Sequence, residues 1–85
     1  MWNERDNALC AELTFDNFVD AFQFMTEVAE LAEAQGHHPE WTNVYNRVSI
    51  RLTTHDAGNT VTEKDRELAS AIAEVPSAGL IRNEG

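Results

Sequence analysis

The sequence predicts an α+β domain in which helices pack on one face of an antiparallel sheet. Three observations lead there. Two stretches alternate apolar and polar residues with period 2. Two others repeat apolar residues at helical spacing between capping signals. The breaks between them are short and polar.

The first alternating stretch is Ala8 to Phe15, where Leu9, Ala11, Leu13 and Phe15 share a side. Trp2 suits a very short edge strand ahead of it. A helix follows, with Asp16 as the expected N-cap, because a short acidic side chain can accept from the orphan amides of the first turn. Phe18, Ala21, Phe22, Met25, Val28, Ala29 and Ala32 make its apolar stripe. Gly36 is expected in the left-handed conformation just past the helix end, and Pro39 pushes His38 toward extended backbone. Val44 and Tyr45 suit a short strand with a bend at Asn46-Arg47. Val48, Ile50 and Leu52 then face one side, and Arg47, Ser49, Arg51 and Thr53 the other. Asp56 to Thr60 is a loop by composition. The second helix starts at Thr62 as N-cap, with Asp65 three residues on in the position of a capping-box acid. Leu68, Ile72 and Val75 line its buried face, and Pro76 ends it. Residues 1–76 are thus expected to form one domain, with a frayed tail over 77–85.

The 85 residues suffice for one small domain with a thin core, a size that favours oligomerisation. The formal net charge of −9 and the lack of Lys/Arg clusters argue against nucleic acid and anionic membrane surfaces as partners. Cys10 is the only cysteine, so an intrachain disulfide and a paired-cysteine metal site are excluded. It reads as a half-buried strand residue. No leader-like apolar run follows Met1, and no stretch has the length of a membrane span. A reducing, cytoplasmic location is the simplest expectation.

Every histidine lies between Glu33 and Asp65. His37 and His38 sit where a helix gives way to a strand; His55 ends the longest strand, just before a Gly-containing loop. On an antiparallel sheet these junctions can adjoin and form one cleft rim. An imidazole, with an unperturbed pKa of about 6.5, can give or take a proton near neutrality. Glu33 lies one helical turn before His37 and is expected to orient that ring. A three-histidine metal site is a weaker reading, because adjacent side chains point apart. From the residues alone, catalysis and a plain structural role are equally open.

The order Glu33, His37-His38-Pro39, Tyr45, His55, Asp65 resembles the signature of the pterin-4a-carbinolamine dehydratases. Phe15 to Met25, His37 to Asn46 and Thr53 to Gly58 are similar to further family segments, so the resemblance spans roughly Trp2 to Ile72. It implies a four-stranded antiparallel sheet with helices on one face. It also implies dehydration of a 4a-hydroxytetrahydropterin to the quinonoid dihydropterin without metal or organic cofactor, by a homodimer or homotetramer. It makes His37, His38 and His55 the pterin-facing histidines, with Glu33 beside them in the catalytic set. Gly36, Pro39, Trp41, Thr53, Thr54, Asp56 and Asp65 would surround the substrate. His37 and His55 are favoured for proton transfer and His38 for gripping the ring. Family members usually carry a further helix ahead of the position of Trp2, which this sequence is expected to lack. The transcriptional dimerisation role of animal members is accordingly not expected. Ala11 stands where a basic residue is common and Asn59 where the loop often has Gly; neither is expected to touch the histidines. The alternative is a catalytically idle pterin-binding or dimerisation protein on the same fold.

Overall fold

The two stretches that alternate in sequence, Ala8–Thr14 and Arg47–Leu52, form the middle of the sheet, because each can bury one face and leave the other toward water. The computed structural model describes residues 1–85. Strands β1 (Asn3–Arg5), β2 (Ala8–Thr14), β3 (Glu40–Val44) and β4 (Arg47–Leu52) lie in the order β1-β2-β4-β3, all antiparallel. Helices α1 (Phe18–Gln35) and α2 (Glu63–Ala73) cover one side. A short β5 (Asn83–Glu84) joins β2 beyond the end of β1.

Both hairpins turn in two residues, pairing Arg5 with Ala8 and Val44 with Arg47. Asp6 and Asn7 take positive φ angles of 50° and 61°, the backbone that matches strand twist and that Asn and Asp tolerate. The second turn falls at Tyr45-Asn46 and not at Asn46-Arg47. Tyr45 is therefore no strand residue: it stands exposed at φ 53°. Asn43 steadies the turn by donating from Nδ2 to the Tyr45 and Arg47 carbonyls at 3.1 and 2.9 Å.

Helix α1 begins one residue later than Asp16 implies. Asn17 is the N-cap, its Oδ1 accepting from the Asp20 amide at 2.8 Å, while Asp16 pairs with Arg82. The buried stripe is Ala21, Phe24, Val28 and Ala32. Phe24 was not in the expected stripe, and Phe18 and Phe22, which were, are about half exposed. The tilted stacking of Phe24 on Phe15, centroids 5.3 Å apart, sets the helix rotation and turns the neighbouring row outward.

One apolar cluster lies between sheet and helices, including Leu9, Ala11, Leu13 and Phe15, then Val48, Ile50 and Leu52, with Leu68 and Ile72 from α2. Trp2 closes one end, its indole N–H donating to the Ala69 carbonyl at 3.0 Å. Cys10 is half-buried on β2 and free. No helix is long and apolar enough to cross a membrane.

The segment expected to fray is tied down instead. Pro76–Leu80 forms a 3₁₀ helix whose Ser77 is buried and donates from its amide and hydroxyl to Glu27 Oε1 at 3.0 and 2.6 Å. The Arg82 and Gly85 amides donate to the Thr14 and Glu12 carbonyls. Composition suggested a tail because the apolar anchors are few. The free edge of β2 supplies backbone partners that composition does not reveal.

Candidate active site

The first half of the site is a helix end. The Gly36 amide donates to the Glu33 carbonyl and the His37 amide to the Ala32 carbonyl, which is the Schellman arrangement. Gly36 is required there, since its φ of 64° is the left-handed region that a Cβ disfavours. This turn brings His37 back beneath the helix and leaves His38 facing outward.

The second half is the end of β4. Thr54 forms an isolated bridge with Thr60, and its carbonyl accepts from the Ala57 and Asn59 amides. The loop thus returns on itself as a 3₁₀ turn, His55–Ala57, and presents the His55 ring.

The two junctions meet. One hollow of about 240 Å³ is lined by Gly36, His37, His38, Thr53, Thr54, His55, Asp56 and Lys64. All three histidines converge on it. Glu33, Pro39 and Trp41 instead line an adjoining hollow that shares only His38 with the first. Asp65 lines neither; it lies buried behind His37. Two further hollows lie on the open face of the sheet, around Glu12, Thr42 and Ser49, with no histidine.

The carboxylate partners differ from the expected ones. Glu33 reaches His38, not His37, with Oε2 3.0 Å from Nε2 in an exposed pair. His37 is held by Asp65, with Oδ1 2.6 Å from Nε2. The helical-turn spacing suggested Glu33 for His37, but the Schellman turn reverses the chain and gives His37 to the other helix. Asp65 is both cap and site residue: its Oδ2 accepts from the Thr62 amide at 2.9 Å and from the Thr54 hydroxyl at 2.7 Å.

Burial alone would push the Asp65 carboxyl up. Hydrogen bonds from His37, Thr54 and the Thr62 amide outweigh it and hold the group below its ordinary value. The Glu27 carboxyl is lowered as well, by the Ser77 hydroxyl and amide. Both groups therefore contribute stability that is fully present above the unfolded-chain values of about 4. That stability is lost as pH falls through the lower folded values. The urea midpoint should drop on acidification, and Glu27→Gln should show a smaller acid drop than the wild type. An equal drop in both would contradict the role given to Glu27.

Asn59 does touch a histidine, contrary to expectation. Its Oδ1 accepts from His55 Nδ1 at 3.0 Å, leaving Nε2 of that ring free. Its φ of 58° explains why glycine also suits this position. Lys64, the chain's only lysine, is the lining residue that sequence reasoning missed. The available signal was its place in the first turn of α2, next to Asp65. No three ligating side chains lie close enough to hold a metal ion.

Fold and site together define a small α+β protein with a histidine-lined hollow suited to proton transfer. The chain belongs to the pterin-4-alpha-carbinolamine dehydratase family: the family model described as Pterin 4 alpha carbinolamine dehydratase matches residues 1–75. A relative from Prochlorococcus marinus strain MIT 9303, provisionally named a pterin-4-alpha-carbinolamine dehydratase, is 55% identical over 71 residues, 84% of this chain and 73% of its own. One from Rhizobium johnstonii, named in the same way, is 46% identical over 79 residues, 93% of this chain and 77% of its own. The crystal structure of a Brucella melitensis protein described as a transcriptional coactivator/pterin dehydratase matches with a TM-score of 0.78 and 42% identity. That match covers 84% of this chain and 77% of the other.

Proposed function

We propose that this chain dehydrates a 4a-hydroxytetrahydropterin to the quinonoid dihydropterin by histidine acid–base catalysis. The observation that carries the reading is the convergence of His37, His38 and His55 on one hollow, with His37 held from behind by the buried carboxylate of Asp65. The reaction breaks the C4a–O bond, releases water and removes the proton on N5. One imidazolium protonates the departing hydroxyl, and a neutral imidazole accepts the N5 proton; each transfer is worth about 10²–10⁴-fold. His37 and His55 are the pair assigned to these steps. His38, exposed and paired with Glu33, grips the pterin. Thr53, Asp56 and the Gly36 backbone complete the hollow. The product is a substrate for a reductase, which places the reaction in tetrahydropterin recycling.

The test is to generate the 4a-carbinolamine with a hydroxylase and follow its decay by absorbance with and without the protein. Accelerated decay, undiminished by chelators, is expected. Pterin binding without acceleration would favour an idle binding protein, and loss of activity with chelator would favour a metal enzyme.

The assembly belongs to the same proposal. Phe18, Val19 and Phe22 stand exposed on α1, with two rings 5.6 Å apart, and Val44 and Tyr45 are exposed on the β3–β4 hairpin. A second copy of this chain is the proposed cover, giving a homodimer or homotetramer. Phe22→Glu should shift the sedimenting species to a smaller one; an unchanged species would remove this face from the interface. The lone free thiol of Cys10 is in keeping with a reducing compartment, the cytoplasm.

A further inference from the structure

Three side chains outside the proton-transfer steps make a continuous line into the protein from His37. Thr62 Oγ1 lies 2.6 Å from Thr54 Oγ1, which lies 2.7 Å from Asp65 Oδ2, and Asp65 Oδ1 lies 2.6 Å from His37 Nε2. Thr54 and Asp65 are buried, at 6% and 0% exposure, so water does not supply alternative partners. The direction of every bond follows from proton counting. An ionised carboxylate only accepts, so Thr54 must donate to Asp65. A threonine hydroxyl has one proton, so Thr62 must donate to Thr54. Asp65 Oδ1 likewise only accepts, so His37 must carry its proton on Nε2, leaving Nδ1 as the lone-pair nitrogen when the ring is neutral.

We propose that Thr54 is a positioning residue: its hydroxyl fixes the Asp65 carboxylate, whose other oxygen holds His37 in the Nε2–H tautomer, so that Nδ1 is the ring atom that exchanges a proton with the substrate. Thr54 also lines the hollow. Its hydroxyl, however, is committed inward, and the Thr54 backbone holds the His55 loop independently through Thr60, Ala57 and Asn59. The substrate half of the proposal rests on the dehydratase reading; the tautomer half does not.

Asp65 Oδ2 receives two donors, the Thr54 hydroxyl and the Thr62 amide, while Oδ1 faces His37. In Asp65→Asn those two donors select the carbonyl for the Oδ2 position. The amide NH₂ then faces His37 and can only donate, so the ring must move its proton to Nδ1. Nitrogen-15 spectra of the labelled full chain, recorded without substrate at a pH where the rings are neutral, read this directly. The wild type should show a protonated Nε2 and an unprotonated Nδ1 at His37, and Asp65→Asn the inverse. Adding Thr54→Val to Asp65→Asn removes one selecting donor and should give a mixture; adding Thr54→Ser should keep the inverted form. A wild-type ring protonated on Nδ1, an Asp65→Asn ring still protonated on Nε2, or identical spectra for the Val and Ser versions would overturn the proposal.

Turnover gives a second measure should Asp65→Asn not fold. Thr54→Val should lower kcat about tenfold with KM within about twofold, and Thr54→Ser should restore it. Equal kcat in Thr54→Val and wild type would overturn the positioning role. Asp65→Asn itself should lose about 10²–10⁴-fold in kcat, the size expected of a misplaced tautomer. If the tautomers behave as described but the wild type itself does not accelerate pterin decay, the relay stands and the dehydratase reading falls.

Discussion

His37→Ala should lower the rate of 4a-carbinolamine dehydration by about 10²–10⁴-fold, the worth of one positioned acid–base group. His55→Ala should lose a similar factor. The two differ in their structural consequences. His55 is exposed, and its one ring contact is with Asn59, so its loss should leave stability within about 0.5 kcal/mol. His37 is mostly enclosed and satisfies the buried Asp65, so His37→Ala should also destabilise the fold by leaving that carboxylate short of a donor. His37→Gln keeps an amide donor there and separates the two effects: stability should largely return and turnover should not. His38→Ala should act mainly on KM, because its ring is exposed and pairs with an exposed glutamate. Measurement of kcat and KM for the single variants, with urea melts alongside, checks each statement. Undiminished turnover in all three alanine variants would rule out histidine catalysis.

The second large effect is on the core. Phe24→Ala should cost about 3–5 kcal/mol, through lost burial and the cavity left against Phe15. Domains of this size have total stabilities on the order of 5–10 kcal/mol, so the variant should be substantially unfolded under mild denaturant. Phe22→Ala, two residues away, should change stability by about 0.5 kcal/mol or less when measured dilute, where assembly does not contribute. Phe24 is fully buried, whereas Phe22 is 52% exposed. Equal losses in the two variants would show that the helix rotation is wrong.

The rotation of α1 was only partly legible in the sequence. Phe18, Phe22 and Phe24 are the same residue type on one helix, and helical spacing alone admits a stripe centred on either row. The rows lie about a quarter turn apart, and the contact with Phe15 decides between them. The Asp16–Asn17 choice is similar: both side chains can cap, and Asp16 is withdrawn by Arg82, which is distant in sequence.

The site divides in the same way. That three histidines and a following Asp65 matter was readable from their order in the chain. That His37 and His55 meet followed from their places at junctions of an antiparallel sheet. Which carboxylate serves which ring was not readable. Glu33 is close to both His37 and His38 in sequence, and only the reversal at Gly36 assigns it to His38. Asn59 looked like a neutral replacement in a loop, and only the fold of the 3₁₀ turn lays its amide against His55.

The sequence by itself determined what depends on neighbours along the chain: the alternation of β2 and β4, the helical stretches, the Gly36 stop, the Thr62–Asp65 cap and the family signature. These are set by backbone sterics and side-chain period over a few residues, and they need no partner from elsewhere. The tertiary structure decided the rotation of α1, the docking of residues 76–85, and the line from Thr62 through Thr54 and Asp65 to His37. Those depend on which groups separated by tens of residues arrive within hydrogen-bonding or packing distance. That choice is made by the whole buried core at once, and no local pattern encodes it.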